Sequence, residues 1–292
     1  MIFRNTLKYF GLAAIVVYSG FFLYFKFSIP ENAFDPMQNI QEDNQSSGLL
    51  IPNFRSIHRN GDSPVISHDK SYIYRSAGLG SLTHKQLKYL EQKRINKIID
   101  LRSEKETLEE PDSNLGSISY VNIPLVSDKN SPSKITMIIN AYRMADYWRE
   151  MMAMILDENS ESIKTIIIEL AKTTDTKSTL LHCTGGKNRT GIISLLLMSE
   201  LGATREQIIS DYMESNMSRQ FITTSLKEKL GNLLFLGISV ENFYPFYSAN
   251  REQVVWMLDY INQKYGSPRR YLRQKAGISE NVLSKLRDKF TI

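Results

Sequence analysis

The feature that most constrains this chain is a run of 24 residues, 178–201, reading STLLH, then CTGGKNR, then TGIISLLLMSEL. The first five are short and apolar, as in a buried strand. The last twelve are apolar nearly all round, which predicts a helix buried at the centre of a domain. Gly202 stands where a C′ glycine would close that helix. Between them lies a loop of small and polar residues, so the chain must pass directly from a buried strand into a buried helix.

The rest of the folded part is organised around that unit. Helical and strand patterns alternate with no internal repeat, which points to an α/β domain. Strands are predicted near 71–75, 96–101 and 118–125. Thr83 with Gln86 and Thr204 with Gln207 have capping-box spacing and mark two helix starts. Long helical patterns cover 133–156 and 160–172, another begins at Asn250, and Ser267-Pro268 and Ser279 open two short terminal helices.

The loop carries the chemistry. A thiolate is the reactive form of cysteine, and a helix N-terminus favours it; Cys183 opens the loop that leads into such a terminus. Gly185 and Gly186 let the backbone curl so that amides point inward. A nest of amides running from Thr184 through Gly185, Gly186, Lys187 and Asn188 suits the oxygens of a phosphate. Arg189, six residues after the cysteine, brings a planar fork to the same anion. The Thr190 hydroxyl can donate to the sulfur as it leaves. His182 is expected to hold the loop, and Lys187 to add a positive charge at its rim. Together these residues predict phosphomonoester hydrolysis through a phosphocysteine on Cys183. The alternative on the same residues is a loop that binds phosphate and does not cleave it. Sulfur transfer by a rhodanese-like domain also uses a loop cysteine, but the step to Arg189 and the Thr190-Gly191 pair argue against it.

Residues 9–25 read YFGLAAIVVYSGFFLYF without a charge, flanked by Arg4 and Lys8 before and Lys26 after. As a helix these seventeen residues would span about 26 Å, close to the hydrocarbon thickness of a bilayer. Residues 1–29 are therefore expected to be a membrane helix or signal segment, 30–48 a linker, and 49–292 the folded domain. Basic residues before the span and Glu31, Asp35, Glu42 and Asp43 after it place the folded domain outside the cytoplasm, in the periplasm or secreted.

With a single cysteine the chain can form no intramolecular disulfide and no multi-cysteine zinc site. The net charge of +5 comes from 36 basic and 31 acidic residues that are interleaved, so no nucleic-acid-binding arm is predicted.

The loop resembles that of the cysteine-dependent protein tyrosine and dual-specificity phosphatases, and the wider pattern is similar to their bacterial tyrosine/serine branch. The resemblance runs through Asn53-Phe54-Arg55, Tyr74-Arg75-Ser76-Ala77-Gly78-Leu79, Ile99-Asp100-Leu101-Arg102-Ser103 with Glu106, Asp211-Tyr212, and Tyr265-Gly266-Ser267 to Tyr271-Leu272 and Gly277. It implies a central parallel or mixed sheet flanked by helices, with no metal and no cofactor. It also implies a phosphorylated protein as substrate, with a phosphoinositide or inositol polyphosphate as the alternative that Lys187 and a membrane anchor would suit. Two departures stand out. Asn188 replaces the aspartate usual in that branch, and neither Trp148 nor Trp256 is followed by Pro-Asp, the usual home of the general acid. Asp128, just after the third predicted strand, is the first candidate for that acid; Asp146 and Asp211 are weaker ones. Arg102 and Arg75 are read equally as buttresses of the site or as structural ion pairs. Tyr142, Met144, Tyr147 and Met151 have helical spacing and suit a core or lid face.

Overall fold

The computed structural model describes residues 51–57, 71–80, 82–173, 176–216, 226 and 237–290. The apolar segment 9–25, the linker 30–48, His58 and His68 lie outside them. Among the described residues no helix is long and apolar enough to cross a membrane.

Five strands form one mixed sheet: β1 (Arg55–Ser56), β2 (Ile73–Ser76), β3 (Ile95–Asp100), β4 (Ser119–Asn122) and β5 (Ser178–His182). Their spatial order is β1-β2-β5-β3-β4. The β1–β2 pair is antiparallel and the other three pairs are parallel. The predicted α/β class with helices on a parallel or mixed sheet is therefore what forms.

β5 is the central strand and is buried along its whole length. Adjacent side chains on the strands face opposite sides of the sheet. Ile73, Ile99 and Leu181 thus enter the larger core, while Tyr74, Ile98 and Leu180 enter a smaller one with Leu79 and Ile118. The smaller core is closed by α1 (His84–Gln92), which buries Leu90 and starts at the predicted Thr83–Gln86 capping box. The larger core is filled by α4 (Met144–Glu158), α5 (Ser160–Ala171), α6 (Asn188–Glu200), α7 (Arg205–Met213), α9 (Arg251–Tyr265) and α11 (Glu280–Phe290). Two short helices precede α4: α2 (Glu104–Glu109) and α3 (Lys134–Ile139). Two more flank α9: α8 (Tyr244–Tyr247) and α10 (Pro268–Arg270).

α6 is the buried helix that the 178–201 run predicts, and Gly202 follows it at φ +90°. Two expectations change. The helix predicted over 133–156 is broken, because the Asn140 side chain donates to the Thr136 carbonyl at 2.8 Å and ends α3; a 3-10 turn, Ala141–Arg143, leads into α4. Such local side-chain bonds compete with helix continuation. The strand predicted over 118–125 is only four residues long, since Pro124 has no N–H to continue a ladder. Its path still follows β3, with the Ile123 and Leu125 amides donating to the Asp100 and Leu101 carbonyls.

Candidate active site

The carboxyl ends of β2, β3 and β5 deliver Ser76, Asp100 and His182 to the same edge of the sheet. The 183–189 loop leaves from there. Its curl is set by what holds its carbonyls. Thr184 O accepts from the Gly78 amide at 3.1 Å, Gly185 O from Asn53 Nδ2 at 2.7 Å, and Gly186 O from Arg75 Nη2 at 2.9 Å. In a trans peptide each carbonyl is opposite the next residue's N–H. Three carbonyls pinned to the outside thus turn the amides of Gly185, Gly186 and Lys187 to the inside, which is an anion nest. Gly186 is required twice: its φ is +67°, and a Cβ there would lie 2.5 Å from Ser76 backbone atoms.

Cys183 is 2% exposed at the base of this curl, and Thr190 Oγ1 donates to its Sγ at 3.2 Å. Arg189 is gripped from one side by Glu106, Nη1 to Oε2 at 2.6 Å and Nη2 to Oε1 at 2.8 Å. Nη2 also donates to Thr184 Oγ1 at 3.1 Å, and that hydroxyl donates to Glu106 Oε1. Burial opposes the charge on Glu106, yet the Arg189 fork prevails and holds its pKa at about 2. Glu106 also accepts from the Ser103 amide as the N3 partner of a capping box, so the start of α2 aims it.

Beneath the loop, His182 is fully buried with Nε2 3.1 Å from Asp112 Oδ2. Arg102 donates through Nε to both Asp100 oxygens at 3.0 Å, through Nη2 to Asp112 Oδ1 at 2.8 Å, and through Nη1 to Glu110 O at 2.7 Å. Its ligand atoms lying within 4.8 Å of one another, the trio Asp100, Asp112 and His182 has the spacing of a metal site. The Arg102 guanidinium already serves both carboxylates there, so the trio is read as an ion-pair network. Arg102 is thus a buttress below β5. Arg75 is another, bound to Asp211 Oδ2 at 2.5 Å.

A profile of the tyrosine phosphatase family matches residues 50–292. The chain belongs to the tyrosine phosphatase family. A Cupriavidus necator protein that carries the name of a tyrosine-protein phosphatase is 35% identical over 98 residues, 33% of this chain and 34% of the relative. The triple specificity protein phosphatase PtpB of Mycobacterium tuberculosis is 29% identical over 117 residues, 37% of this chain and 42% of the relative. These matches therefore span less than half of either relative's length. The solved core catalytic domain of the PP-IP phosphatase SIW14 from S. cerevisiae, in complex with citrate, aligns with 65% of this chain and 95% of its own at 16% identity and a TM-score of 0.28. An overlap that loose bears on neither fold nor substrate.

Within this family member, the residues chosen from the sequence separate into three groups. Cys183, Thr184, Gly185, Gly186, Arg189, Thr190 and His182 lie in or directly under the curl. Lys187 corrects the expectation of a rim charge: it is 3% exposed and turned inward. Its Nζ donates to Phe246 O at 3.1 Å and Pro245 O at 3.4 Å, over the rings of Trp148 and Tyr212. Burial drives its pKa well below the ordinary lysine value. Asn188 uses both ends of its amide, accepting from Trp148 Nε1 at 2.8 Å and donating to Phe246 O at 3.1 Å.

The carboxylates suggested as acids also separate. Asp211 is buried between Arg55 and Arg75, and Asp146 is an exposed partner of Arg149. Asp128 accepts from the Lys105 amide at 2.9 Å, at the N-terminal turn of α2 that also aims Glu106. That amide and the Ser103 hydroxyl hold its carboxyl below the ordinary aspartate range. Met144 and Met151 are core residues, whereas Tyr147 stacks on Phe246 with centroids 6.0 Å apart. The sequence reading left out Glu106, Asp112 and Asn53 as site residues. For Glu106 the Ser103-x-x-Glu106 spacing was a visible signal; the other two are brought in only by tertiary contact.

Proposed function

We propose that this chain is a protein phosphatase of tyrosine or dual specificity, working through a phosphocysteine on Cys183. One observation carries the reading: three consecutive loop carbonyls are pinned outward, around a cysteine whose sulfur accepts from Thr190 and an arginine whose fork is pre-aimed by Glu106. Preorganised donors of this kind stabilise the charge that develops on a transferring phosphoryl group. In the first step the Cys183 thiolate attacks phosphorus and the ester P–O bond breaks. The loop amides and Arg189 hold the three other oxygens. The leaving oxygen takes a proton from a general acid, for which Asp128 is our candidate. In the second step water attacks the phosphocysteine, its proton returns to that carboxylate, and the S–P bond breaks with Thr190 donating to the departing sulfur.

With Lys187 turned inward, the expected membrane anchor alone still speaks for a phosphoinositide or inositol polyphosphate substrate, which supports our preference for the phosphoprotein reading. We also place residues 9–25 as a membrane anchor that holds the phosphatase domain outside the cytoplasm, on the strength of their apolar run and flanking charges.

The test is hydrolysis of p-nitrophenyl phosphate by the full chain, reduced and with a chelator present, in washed membranes and in detergent. Turnover should sediment with the membranes and disappear in Cys183→Ser. Asp128→Asn should slow phosphoserine peptides more than the aryl ester, whose phenolate leaves unaided. A wild type without turnover on aryl phosphates and phosphopeptides alike would overturn the phosphatase reading. Turnover that stays in the wash supernatant would overturn the anchor, and equal losses on both substrates would remove Asp128.

A further inference from the structure

Arg75, third of the four residues of β2, is a charged side chain with 0% exposure directly under the loop. Its strand partner in the β1–β2 pair is Arg55. Two like charges placed opposite one another across a sheet disfavour pairing. The arrangement holds because Asp211, on α7, lies between them. Its Oδ2 meets Arg75 Nη1 at 2.5 Å and its Oδ1 meets Arg55 Nε at 3.1 Å. Arg55 also donates to the Asp211 carbonyl and to Ser215 Oγ, both at 2.7 Å, which fixes α7 against β1.

The other arm of Arg75 reaches the loop. Nη2 donates to Gly186 O at 2.9 Å and approaches Lys187 O at 3.5 Å. Gly191 lets the Tyr212 ring pack beside it, where a Cβ would stand 2.9 Å from that ring, and a Cβ there would touch Arg75 Nη2 only at ordinary contact, 3.7 Å. A buried arginine is costly unless matched. Here two arginines face two carboxylates, Asp211 between them and the half-exposed Glu214 3.6 Å from Arg55, so Arg75 is matched and its guanidinium lies beneath the anion nest.

We propose that Arg75, clamped by Asp211, is a positioning residue for the phosphate loop: it sets the Gly186–Lys187 peptide with its N–H toward the bound oxyanion and places a buried positive charge beneath it. This rests on the reading of the 183–189 loop as the phosphate site, but not on turnover. Gly185 O and Thr184 O are held by neutral donors, so Arg75 is the charged member of the three supports.

The test uses tungstate as an oxyanion probe. Its binding is measured by calorimetry on the full chain in detergent, in a Cys183→Ser background with and without Arg75→Lys. Kinetics on p-nitrophenyl phosphate are measured with Cys183 intact. Lysine keeps the charge, but its single nitrogen cannot serve Asp211 and Gly186 O in the fork's geometry. We expect tungstate affinity and kcat each to fall about 10–100-fold in Arg75→Lys, less than the roughly 10²–10³ lost when a preorganised donor itself is removed, because Arg75 acts through the loop. KM should change less than kcat. Asp211→Asn keeps the shape and removes the clamp's charge; it should weaken tungstate about 3–10-fold, and it carries the test if Arg75→Lys does not fold. A folded Arg75→Lys chain with a lowered melting temperature but unchanged tungstate affinity and kcat would overturn the proposal. Tungstate binding without any turnover in the wild type would sink the phosphatase reading and leave this one standing. A wild type that binds no tungstate would sink both.

Discussion

The 183–189 loop has two flanks, and they are built on different rules. On the strand flank each buried arginine meets a carboxylate, Arg102 with Asp100 and Asp112 and Arg75 with Asp211, and Arg189, although it stands at the start of α6, is turned to a carboxylate in the same way by Glu106. On the helix flank Lys187 is as deeply buried, yet among the described residues no carboxylate pairs with it. It finds two backbone carbonyls and two aromatic faces instead. The difference teaches what each flank is for. Matched ions fix the direction of loop groups that would meet a phosphate. The helix flank needs donors to seat the Pro245–Phe246 turn, and a permanent charge is not required for that. Arginine stays charged in such surroundings whereas a buried lysine readily gives up its proton.

The sharpest way to break the comparison is to remove a cation from the strand flank. Arg102→Met leaves Asp100 and Asp112 buried without their shared partner. Breaking one side of a buried ion pair costs about 3–5 kcal/mol. That loss should appear in denaturant unfolding at neutral pH, with turnover falling alongside because His182, which contacts Asp112, directly precedes Cys183. A cost below about 1 kcal/mol would mean that the strand flank tolerates lost charges as the helix flank is expected to. An intermediate effect is expected at Asn188. Asn188→Asp keeps an acceptor for Trp148 Nε1 but removes the donor to Phe246 O and sets a carboxylate against that carbonyl. Losing such a bond while leaving a buried acceptor short costs about 1–3 kcal/mol. Denaturant unfolding should show that loss while tungstate affinity holds. Unchanged stability would show that Phe246 O is adequately served by Lys187 alone.

Much of this contrast was legible in the sequence on one flank and illegible on the other. The run from Ser178 to Leu201 announces a strand, a loop and a buried helix because its apolar pattern and its small residues are local facts. The capping boxes at Thr83 and Thr204 are equally local, and both helices start where those residues say. The break at Asn140 is a side-chain choice between two local partners, which a helical pattern over 133–156 conceals. Direction is what the sequence withholds. Lys187 reads as a rim charge because lysine beside a phosphate loop is usually solvated; only the arrival of Pro245 and Phe246, nearly sixty positions later, gives its amine an inward destination. Arg75 and Asp211 are 136 positions apart and reveal their pairing only through the fold. Asp128 was chosen for following a strand; its contact with the Lys105 amide depends on where α2 begins.

The smallest effect should come from Lys187 itself. Methionine matches its length and can lie between Trp148 and Tyr212, while Asn188 Nδ2 still serves Phe246 O and Gln253 Nε2 still serves Pro245 O. Replacing a buried charge with a well-packed apolar side chain is often neutral or stabilising. Lys187→Met should therefore stay within about 1 kcal/mol of the wild type at neutral pH. The pH dependence sharpens the point. Burial lowers the folded-state pKa of Lys187 below the ordinary 10.5. Between those two values the unfolded chain binds more protons than the folded one, so this group makes stability rise with pH until the unfolded value is passed. The methionine variant lacks that contribution. Its stability relative to wild type should be most favourable near neutrality and should decline toward pH 10.5 as the wild type sheds its penalty. Chemical unfolding of both chains from pH 7 upward reads the difference directly. A variant that loses more than about 3 kcal/mol at pH 7, with no convergence or crossing as pH rises, would show that the ammonium is required in its charged form. The two flanks would then obey one rule.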